Sequence, residues 1–177
     1  VRRLVESSRR WGLALALLCS ACGYQVVRPD APLPVPAFRL GPVLDRTTEG
    51  DLGLRMLRSL RDALASRGGP GLTGDDGPEV PRLEGEVELG PERAVGFDGL
   101  GSTYEVELRG RFTLTRPDEP WPRWRSGDVT ARVLYARGPT AAAHEAGRRI
   151  ALEQAAVVLA HRLVERLVER PPAENPE

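Results

Sequence analysis

The chain has no Lys; all 25 of its basic residues are Arg. That usage follows genomic base composition and carries no functional reading. Acidic residues also number 25, so the formal net charge is zero, and the chain is not a uniformly basic nucleic-acid binder. Two Cys and two His leave too little material for a metal site or a redox centre. Aromatic residues make up 5%, which argues against a platform for stacking bases or sugars. Beyond residue 21 the longest apolar run is 155–160, far too short to span a bilayer. What remains is 177 residues with 41% apolar content, enough for one modest core with appendages.

Residues 1–21 read as a secretory signal. Arg2, Arg3, Arg9 and Arg10 form a positive n-region, and residues 11–21 are apolar, ending in small side chains. Eleven residues rise only ~16 Å as a helix, about half a bilayer core. Leu18-Cys19-Ser20-Ala21-Cys22-Gly23 resembles a bacterial lipobox, in which a Cys after two small residues is acylated and becomes the new N-terminus. Cys19 stands where that pattern has a branched apolar residue. Cleavage before Cys19 would put Leu18 at the small-residue position, so Cys22 is the expected lipidation site. The competing reading is a plain secretory peptide with Cys22 as a free thiol. Processing before Cys22 leaves 156 residues with 21 basic and 24 acidic, net −3, and one Cys, so no internal disulfide. The acyl anchor, palmitate among its chains, would hold the protein stably on a membrane.

The expected organisation is a signal over 1–21, a lipid anchor and Pro-rich tether over 22–36, a domain over 37–170 and a disordered tail over 171–177. A strand is expected over 37–44. Thr48 with Asp51 fits a capping box opening a helix to about Arg67, with Gly53, Leu57, Leu60 and Leu64 on one face. Residues 68–81 hold five Gly and three Pro and read as a loop. Residues 82–89 and 103–115 alternate. Leu83, Val87, Val106, Leu108, Phe112 and Leu114 face one way, and Glu84, Glu86, Glu88, Glu107, Arg109 and Arg111 the other. That is the period of a sheet covered on one side only. Gly90-Pro91 breaks or bulges the first of these strands, which resumes through Phe97; Asp98-Gly99 turns into the second. Residues 124–135 make a further strand with Val129, Ala131, Val133 and Tyr135 aligned. Residues 141–169 form a helix of ~43 Å whose stripe is Leu152, Ala156, Leu159, Leu163 and Leu167. The expected fold is therefore α+β, a two-layer sandwich of a four-stranded mixed sheet with two helices packed on one face, in the order β-α-β-β-β-α. The first strand should run parallel to the second through a right-handed crossover, and the rest form an antiparallel meander.

Cys22-Gly23-Tyr24-Gln25, the Pro-rich lead-in, Leu83-x-Gly85-x-Val87, Tyr104-x-Val106 and Tyr135 before the last helix, in this element order, together resemble the LptE family of lipopolysaccharide-assembly lipoproteins over most of 22–168. The resemblance implies an outer-membrane location, with the domain on the periplasmic side or inside a barrel lumen. It also implies the LptD β-barrel and lipopolysaccharide as partners, and a role in placing lipopolysaccharide at the cell surface. An adaptor lipoprotein of another envelope export or assembly machine is the alternative.

Nothing in the sequence makes a case for an enzyme. His144 and His161 lie on one helix ~25 Å apart and cannot share a ligand. No nucleophile elbow, phosphate loop or Cys-x-x-Cys pattern occurs, and no cofactor or metal is expected beyond the acyl chains on Cys22. Two candidate surfaces remain. Glu86, Arg109 and Arg111 on the polar sheet face are candidates for contact with a partner, against the reading of a solvated face held by weak Glu–Arg pairs. Tracing strand directions brings both helix N-termini to the end of the 98–102 turn. Arg93, Arg137, His144 and Arg148 near that end are candidates for contacting lipopolysaccharide phosphates, against the reading of solvated or carboxylate-paired cations.

Overall fold

The structure, a computed structural model, describes residues 37–67, 77, 80–97 and 102–169. The signal, Cys22, the tether, the Asp98-Gly99 turn and the tail lie outside the described residues. The elements are β1 (Arg39–Asp45), α1 (Leu52–Ser66), β2 (Arg82–Leu89), β3 (Arg93–Phe97), β4 (Ser102–Thr115), β5 (Trp124–Ala136) and α2 (Ala141–Glu169). β1 pairs parallel with β2, so α1 is the crossover between them. β4 runs antiparallel to β2, β3 and β5. The α+β class with two helices and a mixed sheet is as expected.

Among the described residues the strand count is five rather than four, because the segment 82–97 is split. β2 and β3 lie end to end along one side of β4, and β5 lies along the other. Gly90 keeps the ladder by donating its N–H to the Glu107 carbonyl at 2.7 Å. Pro91 has no N–H to give, and the Glu92 side chain turns to Tyr135 and Arg148. β5 carries a second irregularity. Its register slips opposite Arg111–Thr113 at Gly127, whose φ of 62° favours glycine. The slip lets Trp124 and Val129, an odd number of residues apart, both enter the core.

The helices cover one face. Leu83, Val87, Leu108, Phe112, Leu114 and Ala131 of the sheet meet Leu60 and Leu64 of α1 and Leu159 and Leu163 of α2, all buried. The α2 stripe is as its spacing predicts. On α1, Met56 and Ala63 are buried and Leu57 is only half-buried, so the stripe is rotated from the expected one. The Phe112 ring lies across two glycines. A Cβ on Gly110 would stand 2.8 Å from the ring and 3.1 Å from Leu159, and one on Gly85 would run into the ring. This explains the glycine in Leu83-x-Gly85-x-Val87.

The helix start of α1 also differs from expectation. Asp51 occupies the cap position without a side-chain cap bond, and its carboxylate accepts from Arg55 instead. The cap comes from the end of β1. Asp45 accepts from Gly53 N–H at 3.2 Å and from Thr47 N–H at 2.8 Å. Burial alone would raise the Asp45 pKa, but the Thr47 hydroxyl, which donates at 2.5 Å, and these N–H groups hold it below the usual carboxylate range. A local capping pattern thus loses to a tertiary one, because β1 delivers a carboxylate already fixed by the sheet.

Arg148 of α2 pairs with Glu49 just before α1 at 2.7 Å, Arg55 pairs with Glu153, and Arg67 with Glu165 at 3.5 Å. The helices are therefore parallel, with both N-termini at one end. Phe97 at the end of β3 and Ser102 at the start of β4 pair with each other at that end. The opposite end holds the start of β1, the 116–123 connection and both helix C-termini.

Candidate functional site

The sheet face away from the helices is a lattice of ion pairs. Glu86, Arg111 and Asp128 sit side by side on β2, β4 and β5. Arg111 reaches Asp128 at 2.5 Å, Glu86 at 3.4 Å and Glu88 at 3.7 Å. Arg46 adds a second cation to Glu86 at 3.4 Å. Asp128 is held below the usual carboxylate range by its hydrogen bond from Arg111. These side chains are about half exposed or more accessible than buried ones, so each pair contributes little and is screened by salt. The structure thus puts Glu86, Arg109 and Arg111 on one open face, as the alternation requires.

One member of this face is different. Glu107 is 4% exposed although it points away from the helices. Arg132 and Arg109 clamp its carboxylate at 2.7 and 2.5 Å, and Arg132 first, then Arg109, lowers its pKa. Gly90 makes the room, since a Cβ there would stand 3.0 Å from the Glu107 side chain. The outward position of Glu107 is legible in the alternation; the close approach of Gly90, just past the end of β2, is not.

Near β1 the same face forms a shallow groove of about 770 Å³, lined among others by Pro42, Leu44, Glu84, Glu86, Arg111 and Thr113. Leu44 is exposed there. The bulge at Gly41-Pro42, where register slips between Leu40 and Val43, shapes this edge.

The end with both helix N-termini gathers the second set of candidates. Tyr104, Tyr135 and His144 form an aromatic triangle with centroids 5.3–5.8 Å apart. The Tyr135 hydroxyl donates to Glu92, and His144 Nε2 lies 3.4 Å from it. Burial first, then Glu92, pushes the Tyr135 pKa up. Arg148 is bound by Glu49 at 2.7 Å, Glu92 at 3.0 Å and Glu145 at 3.6 Å. Glu49, then Glu92, hold its pKa above its ordinary value. Arg148 is therefore a brace that ties β3, α1 and α2 together, and its charge is already compensated. His144 likewise packs into the triangle rather than facing out alone. Arg93 and Arg137 are exposed and have no carboxylate within ion-pair distance among the described residues. Arg137, Thr140 and His144 line a hollow of about 270 Å³ at the α2 N-terminus. There the Thr140 hydroxyl accepts from Ala143 N–H at 3.1 Å. Glu49 and Glu92, which decide the fate of Arg148, carry no motif in the sequence and come together only through the fold.

Among the described residues no group of His, Cys, Asp and Glu could hold a metal ion. No described helix is long and apolar enough to cross a membrane. The sequence profile of LptE, described as lipopolysaccharide-assembly, matches residues 36–167. The chain belongs to the LptE family. The family is one of outer-membrane-associated lipoproteins of the lipopolysaccharide transport machinery. No curated protein matches the chain in sequence. Among solved structures, a hemagglutinin homologue of Helicobacter pylori is similar at 13% identity and a TM-score of 0.50, covering 81% of this chain and 89% of its own. Rare lipoprotein B of Shewanella oneidensis is 17% identical with a TM-score of 0.49, covering 72% and 93% respectively. A minor lipoprotein of Acinetobacter baumannii is 12% identical with a TM-score of 0.48, covering 75% and 94%. The likeness to the Helicobacter pylori protein is one of fold, and family membership rests on the sequence profile.

Proposed function

We propose that this LptE-family chain is a lipoprotein anchored in the outer membrane through acylated Cys22. Its open sheet face docks on the LptD β-barrel, and it assists lipopolysaccharide assembly at the cell surface. The observation that carries the reading is the family match across 36–167. The geometry supports it. The helix side is closed by a core, while Glu86, Arg109 and Arg111 lie on the open face, where the exposed pairs of Glu86 and Arg111 can be exchanged for a partner's charges at little cost. Leu44 in the groove beside them offers an apolar contact. At the end holding both helix N-termini, Arg93 and Arg137 are the uncompensated cations through which lipopolysaccharide phosphates are met, with the α2 N-terminus adjacent.

The test is co-purification of the tagged, acylated protein in mild detergent, followed by depletion in cells. A large β-barrel partner and a loss of surface lipopolysaccharide are expected. A partner set from a different export machine, with surface lipopolysaccharide unchanged on depletion, would replace this reading with that of an adaptor lipoprotein. For the anchor, Cys22→Ala should leave an unprocessed precursor without fatty-acid label; a processed, labelled variant contradicts it. For the cations, Arg93→Glu with Arg137→Glu should weaken lipopolysaccharide binding, and unchanged affinity across a range of salt removes that end from the site.

A further inference from the structure

The end of the domain at which the chain enters carries a side chain that the core, the ion-pair lattice and the helix-N-terminal end leave unused. Trp121 sits in Pro120-Trp121-Pro122 of the connection between β4 and β5 and is 75% exposed. Trp124, three residues on, is buried in the core. An indole has a large apolar body and one N–H, which suits it to the boundary between water and lipid.

The loop presents this indole rigidly. Arg123 holds the Glu119 carboxylate through Nε at 2.8 and 2.9 Å, and its backbone N–H donates to the Leu114 carbonyl at 2.9 Å. Arg116 reaches Asp118 at 3.2 Å, and the Glu119 N–H donates to the Arg116 carbonyl at 3.2 Å. The flanking prolines restrict the backbone on both sides of the indole.

The position of the loop selects the occupant. Arg39 at the start of β1 pairs with Arg82, and Arg82 with Thr115, the last residue of β4. The loop after β4 therefore lies at the end where the chain enters β1, two to three strand spacings away, ~10–15 Å. Fourteen residues separate Cys22 from Ala37, a reach of at most ~50 Å when fully extended. An anchor on Cys22 therefore leaves this end, where the chain enters the domain, within reach of the bilayer. It makes contact with the lipid surface effectively intramolecular.

We infer that the 116–123 loop is a second membrane contact: Trp121 inserts at the headgroup level of a phospholipid surface. The inference rests on the acyl anchor at Cys22 proposed above. The two contacts divide the work, the acyl chains holding the protein on the membrane and the indole fixing which end faces it.

The experiment uses the full-length acylated protein in vesicles of phosphatidylethanolamine and phosphatidylglycerol, with and without brominated acyl chains. In a Trp124→Phe variant, Trp121 is the sole indole left after signal removal. Its emission should shift to the blue on reconstitution and fall to about half with brominated lipid, as for an interfacial indole. In the converse Trp121→Phe variant, Trp124 should be unquenched. Because Trp124→Phe touches the core, an environment-sensitive dye on Asp118→Cys in the otherwise native chain gives an independent readout, expected to brighten with lipid alone. Flotation is scored in parallel. Protein that floats with Trp121 unquenched and the dye unchanged overturns the inference while leaving the anchor standing. Signals that change only on adding the barrel partner also overturn it, assigning the loop to a protein. Failure of the acylated protein to float removes the anchor and the inference with it.

Discussion

Leu108 and Arg109 are neighbours in the chain and belong to different kinds of surface. Leu108 is fully buried beneath the helices. Arg109 lies on the open face against Glu107, with no described element packed above it. The same alternation runs along β2 and β4, and along β5 on either side of the Gly127 bulge, so one sheet has a side held by shape and a side held by charge. On the helix side the fit is specific to each residue: Phe112 needs glycine at both 85 and 110. On the open side Arg111 has three acidic neighbours within ion-pair distance, and loss of one leaves others. The helix side secures the fold, while the open side can be rearranged without unfolding it. That is the property a docking face requires.

This contrast can be broken by substitution. Phe112→Ala should lose about 3–5 kcal/mol, the usual cost of emptying a large buried aromatic site; urea unfolding measures it. A loss no larger than that of an open-face change would remove the distinction between the sides. Glu107→Ala sharpens the comparison, because Glu107 is an open-face residue with a buried carboxylate. The expected loss is about 1–2 kcal/mol, between a surface pair and a buried charged hydrogen bond. Asp45→Ala should cost about 1 kcal/mol through the lost α1 cap. Both carboxylates have folded-state pKa values below their unfolded ones. Their contribution is therefore present above the ordinary carboxylate pKa of ~4 and is lost as pH falls through the lower folded values. The two variants should lose less stability than the parent between pH 5 and pH 2 (about those limits), as followed by urea midpoints. Arg111→Ala should leave the urea midpoint essentially unchanged, since its pairs are exposed.

Most of this architecture was legible because burial on one side of a sheet imposes a period of two. The α2 stripe and the common direction of the helix N-termini followed from spacing and connectivity. What escaped was tertiary. Asp45 displaces the local Thr48–Asp51 cap because a strand end can place a carboxylate at a helix start. The split at Gly90-Pro91 was visible, but that Glu92 would leave the ladder for Tyr135 and Arg148 was not. Of the candidate site residues, Glu86, Arg109 and Arg111 fell on one face by parity alone. Arg148 left the set of free cations because Glu49 and Glu92, 43 residues apart in sequence, converge on it. The bulge at Gly127 reverses the parity of β5, which no alternation rule anticipates from a single glycine.

The central claim is that the open face meets the barrel. Photocrosslinking residues placed singly at Glu86, Arg109 and Arg111, and at Val157 on the exposed side of α2, test it most directly in cells that assemble the complex. Crosslinks to the barrel from the three sheet positions, and none from Val157, are predicted. An intact complex with no crosslink from any sheet position, or with the crosslink from Val157 alone, would contradict the account.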